Sequence, residues 1–225
     1  TQRRNLRNTR QIYFNRLVMV EVINPSIFEN NVSKSAIREI RIGNSNSKIV
    51  IIDDFFVYPE KVREYALSAK YSKESNSHDN PGYISRFPLD PAQFFHTCGY
   101  LKEVHFKDYR LHTIDLSPIF AFQCYDKIPP MPPHIDDVNY AGLVPLNTDE
   151  ELSDFSGTSF FRHRGTGQEF TCTNSYRAEE CLSKFDMSLW DRYHVQYHKF
   201  NQFIFYESCM FHSAYWDQDS WAVDT

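Results

Sequence analysis

The sequence predicts an α+β protein in which helices pack on one side of a β-sandwich or barrel. Two strand-like segments near the start are followed by two segments with helical periodicity, and most of the remaining chain has the composition of strands. With 225 residues, the chain can bury one sizeable core, and it contains no internal repeat and no domain boundary that we can identify. A jelly roll is consistent with this order of elements.

The first part of the chain contains two predicted strands and one predicted helix. Residues 17–23 and the β-branched residues 48–52 have strand composition, whereas residues 33–39 fit either a short helix or a loop. Residues 58–70 have apolar side chains at helical spacing, and Pro59 suits the first turn of a helix.

The middle of the chain predicts a second helix over residues 91–106, followed by strands over residues 109–114 and 118–125. The buried stripe of that helix is expected to consist of Phe94, Phe95, Cys98 and Leu101.

The C-terminal half predicts strands over residues 157–164, 202–206 and 209–215. Between them, Asp186 suits the N-cap of a helix over residues 187–197. The apolar side of this helix would carry Leu189, Trp190, Tyr193 and Tyr197.

Charge and cysteine usage exclude several classes of protein. The net charge is −5 and no block of Lys or Arg dominates a segment, so we expect no nucleic-acid partner. No apolar run approaches the roughly 18 residues that span a bilayer, so no membrane partner is expected. The five cysteines form no Cys-x-x-Cys pair, and we expect neither a disulfide framework nor a zinc site, in keeping with a cytoplasmic protein.

The chemically most informative motif is His134-Ile135-Asp136, with His212 as a distant third partner. Side chains at i and i+2 of a strand point to the same side, so His134 and Asp136 would project together. One further imidazole would complete two nitrogens and one carboxylate oxygen on one side of a metal. This facial set suits non-haem Fe(II), because it leaves positions open for a co-substrate and O₂.

A His-x-Asp motif is common by chance, and its ordinary interpretation is a surface or hydrogen-bonding pair. The surrounding sequence favours the metal interpretation. His134 follows a proline-rich turn and precedes the apolar residues 140–144, and His212 follows the strand-like residues 202–206.

Several segments resemble the 2-oxoglutarate/Fe(II)-dependent oxygenase superfamily, with a closer resemblance to its prolyl-hydroxylase-like branch and to uncharacterised bacterial or phage-type members. The matching segments are residues 51–56, 122–125, 134–136, 141–147, 157–164 and 211–213. The resemblance implies a single oxygenase-like domain over residues 1–225. In it, residues 1–47 form an N-terminal arm and strand, and residues 48–216 form a double-stranded β-helix core with supporting helices.

The resemblance also implies Fe(II) on His134, Asp136 and His212, with 2-oxoglutarate chelating the metal. The implied reaction hydroxylates a C–H bond of a peptide side chain or small metabolite and converts 2-oxoglutarate to succinate. Tyr125, Thr158 and Arg162 are the candidate co-substrate residues. Their ordinary interpretations are a buried tyrosine, a strand threonine and an arginine paired with a structural carboxylate.

One departure from the superfamily concerns the residue that binds the 5-carboxylate of 2-oxoglutarate. In the superfamily this residue is usually an Arg or Lys about ten residues after the distal histidine, which is His212 here. No Arg or Lys follows Lys199 in this sequence. Two explanations are open: the natural chain continues beyond Thr225, or the anchor is Arg162 or Arg164 on another strand. The substrate and the oligomeric state are not predicted.

Two other functions are also compatible with the sequence. One is a cupin-type metal enzyme that does not use 2-oxoglutarate, which the missing Arg or Lys favours. The other is a non-catalytic jelly-roll protein that binds a ligand or partner.

Overall fold

The computed structural model describes residues 25–32, 37–72, 83–85, 91–106, 123–124, 132–136, 138–152, 156–171 and 186–215. Its two α-helices are α1 (Pro59–Ser68) and α2 (Pro91–His105), and its 3-10 helices are Pro25–Phe28 and Met187–Leu189. The strands are β1 (Ile37–Ile42), β2 (Ser47–Ile52), β3 (Tyr71–Ser72), β4 (Tyr83–Ser85), β5 (Gln123–Cys124), β6 (Tyr140–Leu143), β7 (Gly157–His163), β8 (Trp190–Tyr197), β9 (Phe203–Glu207) and β10 (His212–Tyr215).

The strands of the described residues form three antiparallel sheets. The first sheet has the order β1-β2-β9-β6, the second β10-β7-β8, and a small third sheet β3-β4-β5. An isolated bridge joins His134 to His212, so residue 134 lies beside β10 at the edge of the second sheet. The mixture of helices and antiparallel sheets confirms the predicted α+β class.

Strict alternation along β9 gives the first sheet two apolar faces. Phe203 and Phe205 belong to a core cluster that also contains Val62 of α1 and Leu101 of α2. Ile204 and Tyr206 belong to a second cluster with Phe160 of β7. The helices therefore cover one face of the first sheet, and the second sheet packs on the other.

Most predicted elements are confirmed. β2, α1 and α2 match the predictions for residues 48–52, 58–70 and 91–106, and β7, β9 and β10 match the predicted C-terminal strands. Leu101 is completely buried, as expected for the apolar stripe of α2. The strands predicted over residues 17–23 and 109–114 lie outside the described residues. None of the described helices combines the length and apolar composition needed to cross a bilayer.

The helix predicted over residues 187–197 is wrong. Asp186 does act as a cap, because its side chain accepts a hydrogen bond from the Ser188 amide, but it caps only the 3-10 turn Met187–Leu189. Residues 190–197 instead form β8, which pairs with β7 along its length. Cross-strand pairing and the burial of Trp190 against Phe211 stabilise the extended form.

The prediction of a helix or loop over residues 33–39 is wrong for residues 37–39, because β1 begins at Ile37, and residues 33–36 lie outside the described residues. β1 and β2 form a hairpin whose turn has positive φ at Gly43 and Asn46. Glu169 fastens this turn: its carboxylate accepts hydrogen bonds from the Asn44 amide at 2.9 Å and the Ser45 amide at 2.8 Å. A side chain at Gly43 would collide with that carboxylate.

Arg162 of β7 donates to the same carboxylate, with its Nε 2.8 Å from Glu169 Oε1. Burial raises the pKa of Glu169, but the hydrogen bonds from Ser45, Asn44 and Arg162 outweigh this and lower the pKa below its ordinary value. The Glu169 side chain is almost fully buried, so it ties the first sheet to the second through charge-assisted bonds.

We expect Glu169→Gln to lower the free energy of unfolding by about 2 to 4 kcal/mol, because Arg162 would lose its buried anionic partner. Since folding lowers the pKa of Glu169, its contribution is fully present above its ordinary pKa of 4.5 and is lost as the pH falls through the folded value. Urea unfolding between pH 3 and 7 should show that the free energy of unfolding falls at acidic pH. This fall should be smaller in the variant than in the wild type. Asp191→Asn, which breaks the exposed Arg164–Asp191 pair, is the control and should cost less than about 1 kcal/mol.

Candidate metal centre

His134 and His212 are held side by side by their backbones. The His134 amide donates to the His212 carbonyl and the His212 amide donates to the His134 carbonyl, both at 2.9 Å. Directly paired residues of antiparallel strands project to the same face. The two imidazole rings accordingly lie together, with centroids 4.7 Å apart.

Asp136 lies beside the two histidines, and its backbone is held by a hydrogen bond to a neighbouring segment. Its amide donates to the Ser208 carbonyl at 3.2 Å. Its carboxylate lies between the rings, with Oδ1 3.8 Å from His134 Nε2 and Oδ2 3.4 Å from His212 Nε2. One ligand atom from each of the three residues lies within 4.8 Å of the others, as the His-x-Asp spacing predicts.

Backbone carbonyls orient both rings. His134 Nδ1 lies 3.0 Å from the Pro132 carbonyl oxygen, and His212 Nδ1 lies 2.8 Å from the Met210 carbonyl oxygen. A carbonyl can only accept, so each Nδ1 carries the proton in the neutral ring and each Nε2 presents a lone pair. This arrangement of a ligand nitrogen with its second nitrogen hydrogen-bonded is typical of metal-binding histidines.

The protonation states also suit a cation. Burial and the charge of His212 lower the pKa of His134 and outweigh the opposing effects of the Pro132 carbonyl and Asp136. Burial raises the pKa of Asp136, but the hydrogen bond and charge that His212 supplies when protonated, followed by the charge of protonated His134, outweigh it and lower the pKa. A neutral imidazole and an ionised carboxylate are the forms that bind metal.

The three ligands differ in exposure. The His212 side chain is 7% exposed, whereas His134 is 30% and Asp136 is 38% exposed. The aromatic ring of Tyr206, itself buried, lies edge-on to His212 at 5.2 Å and limits movement of that imidazole. A bound cation would therefore be reached from the side of His134 and Asp136.

The structure describes two of the three candidate co-substrate residues. Tyr125 lies outside the described residues. Thr158 is buried on β7, and its hydroxyl lies 3.1 Å from Nε2 of His198, whose pKa burial lowers to about 4. Arg162 contacts Glu169 as described above, while Arg164 pairs with Asp191 at the surface. Both Thr158 and Arg162 thus have protein partners, and their role in co-substrate binding stays a prediction.

Three residues on the inner side of the sheets were not predicted as site residues, although Tyr193 was expected on the buried side of a helix. Tyr206 packs on His212, and Tyr193 and His194 of β8 face the core between the sheets. The run of aromatic and β-branched residues over 190–197 was the available signal for a strand there.

The chain matches the model of DUF6445, a family of unknown function, over residues 33–224. It belongs to this family. No curated protein matches the chain, and no solved structure matches it.

We expect His134→Ala, Asp136→Ala and His212→Ala each to weaken Mn²⁺ binding by more than the roughly 10- to 100-fold lost when an outer-shell partner is removed. Isothermal titration of the purified protein with Mn²⁺ measures this directly. His163→Ala is the matched control, because His163 lies on β7 and its Nδ1 contacts the Thr166 hydroxyl at the surface. Equal affinity in all four variants would eliminate the site.

Proposed function

We propose that this protein is an Fe(II)- and 2-oxoglutarate-dependent oxygenase that hydroxylates a C–H bond of a peptide side chain or small metabolite. The observation that carries the proposal is the convergence of His134, Asp136 and His212, with both Nε2 atoms facing the Asp136 carboxylate and both Nδ1 atoms bonded to backbone carbonyls. Two imidazole nitrogens and one carboxylate oxygen on one side of a cation are the ligand set of non-haem Fe(II) oxygenases.

The distances are compatible with a single cation. Ligand atoms about 2.1 Å from a common ion are about 3 to 3.5 Å apart when they occupy neighbouring positions. The His212–Asp136 separation of 3.4 Å, measured to Oδ2, lies in this range. The His134–Asp136 separation of 3.8 Å is measured to Oδ1, and the three ligand atoms lie within 4.8 Å of one another, so binding one ion requires the side chains to draw closer together. Three protein ligands leave about three positions of an octahedral shell for small molecules.

The arrangement of the sheets supports a double-stranded β-helix as the scaffold. The first sheet faces the second across the cluster that contains Phe160 and Tyr206, and the helices cover its other face. Residue 134 lies next to β10, which pairs with β7. The His-x-Asp segment and the distal histidine therefore lie at the same edge of one sheet, as a jelly roll requires.

In this proposal, the chain holds the metal, orients its ligands and shields one side from water. When bound, Fe(II) with 2-oxoglutarate supplies the oxidation of a C–H bond by O₂, with succinate and CO₂ as co-products. The exposed flank at His134 and Asp136 admits the small molecules, and the buried flank at His212 and Tyr206 keeps the imidazole in place. The substrate would be an organic small molecule or a peptide.

A second candidate is a cupin-type metal enzyme that does not use 2-oxoglutarate. It is favoured by one specific observation: Arg162, a candidate anchor for the co-substrate, is engaged by Glu169. The distal carboxylate of 2-oxoglutarate would require hydrogen-bond donors in a dry pocket, and Arg162 already donates to Glu169. The two candidates share the metal centre and differ in the co-substrate.

We expect the Fe(II)-loaded protein to convert 2-oxoglutarate to succinate, and Asp136→Ala to abolish the conversion, because the metal would lose its anionic ligand. Succinate formation in the presence and absence of a peptide or metabolite library provides the measurement.

His163→Ala should retain the wild-type rate. Metal binding by the wild type without succinate formation or 2-oxoglutarate binding would instead support the cupin-type enzyme.

A further inference from the structure

A β-bulge in β8 turns two consecutive side chains toward the core between the sheets. Phe160 of β7 pairs with His194, but the next residue, Phe161, pairs with Arg192, so Tyr193 is the extra residue. Without the bulge, Tyr193 and His194 would point to opposite faces. Instead Tyr193 packs against the intersheet cluster and the His194 ring lies 6.0 Å from the ring of Phe160 in that same cluster.

Both of these side chains end in a buried polar atom without a hydrogen-bond partner among the described residues. These atoms are the Tyr193 hydroxyl and His194 Nε2. Leaving such atoms unpaired is costly, and native structures pair the great majority of them. Two orphan atoms on consecutive residues that face the same side therefore indicate a polar ligand, or water, in contact with them.

The two atoms lie on the same face of the second sheet as the candidate metal centre. His134, His212, Phe160 and His194 form a continuous cross-strand row, because each pairs with the next. His212 and His194 are thus two strand spacings apart, on the order of 10 Å. Because Phe160 lies between the two histidines in this row, a dicarboxylate that chelates the metal at one end would lie across the Phe160 ring to bring its other end to His194.

The local electrostatics favour a ligand with acceptor oxygens. Burial lowers the pKa of His194, so its imidazole is neutral. Burial and the charge of Glu169 raise the pKa of Tyr193, so its hydroxyl keeps its proton. Each can then donate one hydrogen bond, with His194 in its Nε2–H tautomer. The Arg162 guanidinium, 5.3 Å from the centre of the Tyr193 ring, is already paired with Glu169, so the two neutral donors are the groups left to contact the ligand.

We propose that Tyr193 and His194 bind the distal carboxylate of a dicarboxylic 2-oxo acid whose chelating end lies on the metal held by His134, Asp136 and His212. This inference rests on the proposed function and adds the residues that recognise its co-substrate. It adds two neutral donors on β8 to the candidate partners of the distal carboxylate. The consequence is selection of a dicarboxylate over a 2-oxo acid that lacks the distal group.

The test measures binding of 2-oxoglutarate and of 2-oxobutyrate to the Mn²⁺-loaded protein by isothermal titration. The two probes share the chelating end, and only 2-oxoglutarate has the distal carboxylate. The wild type should prefer 2-oxoglutarate by about tenfold or more, because hydrogen bonds to a charged group are the stronger kind.

Tyr193→Phe and His194→Leu should each weaken the binding of 2-oxoglutarate by about tenfold. The binding of Mn²⁺ and of 2-oxobutyrate should stay unchanged. His194→Gln retains an amide donor and should recover part of the affinity. Tyr197→Phe, on the same strand with an exposed ring, is the matched control. Without ligand, Tyr193→Phe should keep or raise the thermal midpoint, because it removes an unpaired buried hydroxyl.

The outcomes separate the two proposals. Wild-type 2-oxoglutarate affinity in both Tyr193→Phe and His194→Leu would overturn this inference and leave the oxygenase proposal standing, with only water at the two atoms. Mn²⁺ binding without affinity for either 2-oxo acid would overturn both this inference and the use of 2-oxoglutarate. If His194→Leu does not fold, the near-isosteric Tyr193→Phe decides the question.

Discussion

The reciprocal backbone hydrogen bonds between His134 and His212 are the constraint on which the candidate metal centre depends. They join two segments that are far apart in the chain and force both imidazoles onto one face of the second sheet. Every other feature of the site follows from this pairing. Asp136 reaches the same face because it lies two residues beyond His134, and the Pro132 and Met210 carbonyls fix which nitrogen of each ring faces the shared space.

The pairing is stable only because the sheets around it are well supported. β2 and β9 lie in the middle of the first sheet and carry apolar side chains on both faces, so they are buried between the helices and the second sheet. The Glu169 carboxylate then links the β1–β2 turn to Arg162 of the second sheet. A site built on edges of such a framework retains its geometry without a ligand, which lowers the cost of organising it around a cation.

Charge is distributed unevenly between the two ends of the intersheet space. Arg162 is neutralised by Glu169, and the inward-facing polar groups of β8 are the uncharged Tyr193 and His194. The candidate metal centre would therefore supply the main positive charge of the site once a cation is bound, because one carboxylate only partly offsets a divalent ion. This distribution favours anionic molecules that approach the metal directly and are oriented by neutral donors farther away.

The sequence by itself determined the α+β class, the helices α1 and α2, the buried strands and the His-x-Asp motif, because these depend on local periodicity and on the i, i+2 geometry of a strand. Only the tertiary structure decided that residues 190–197 form β8: their apolar spacing also fits a helix, and the free edge of β7 selected the strand. The contact of Glu169 with the β1–β2 turn and the paired inward direction of Tyr193 and His194 were likewise decided by long-range contacts. The hydrogen bonds from the β1–β2 turn to Glu169 and the bulge opposite Phe160 exist only after the strands have paired.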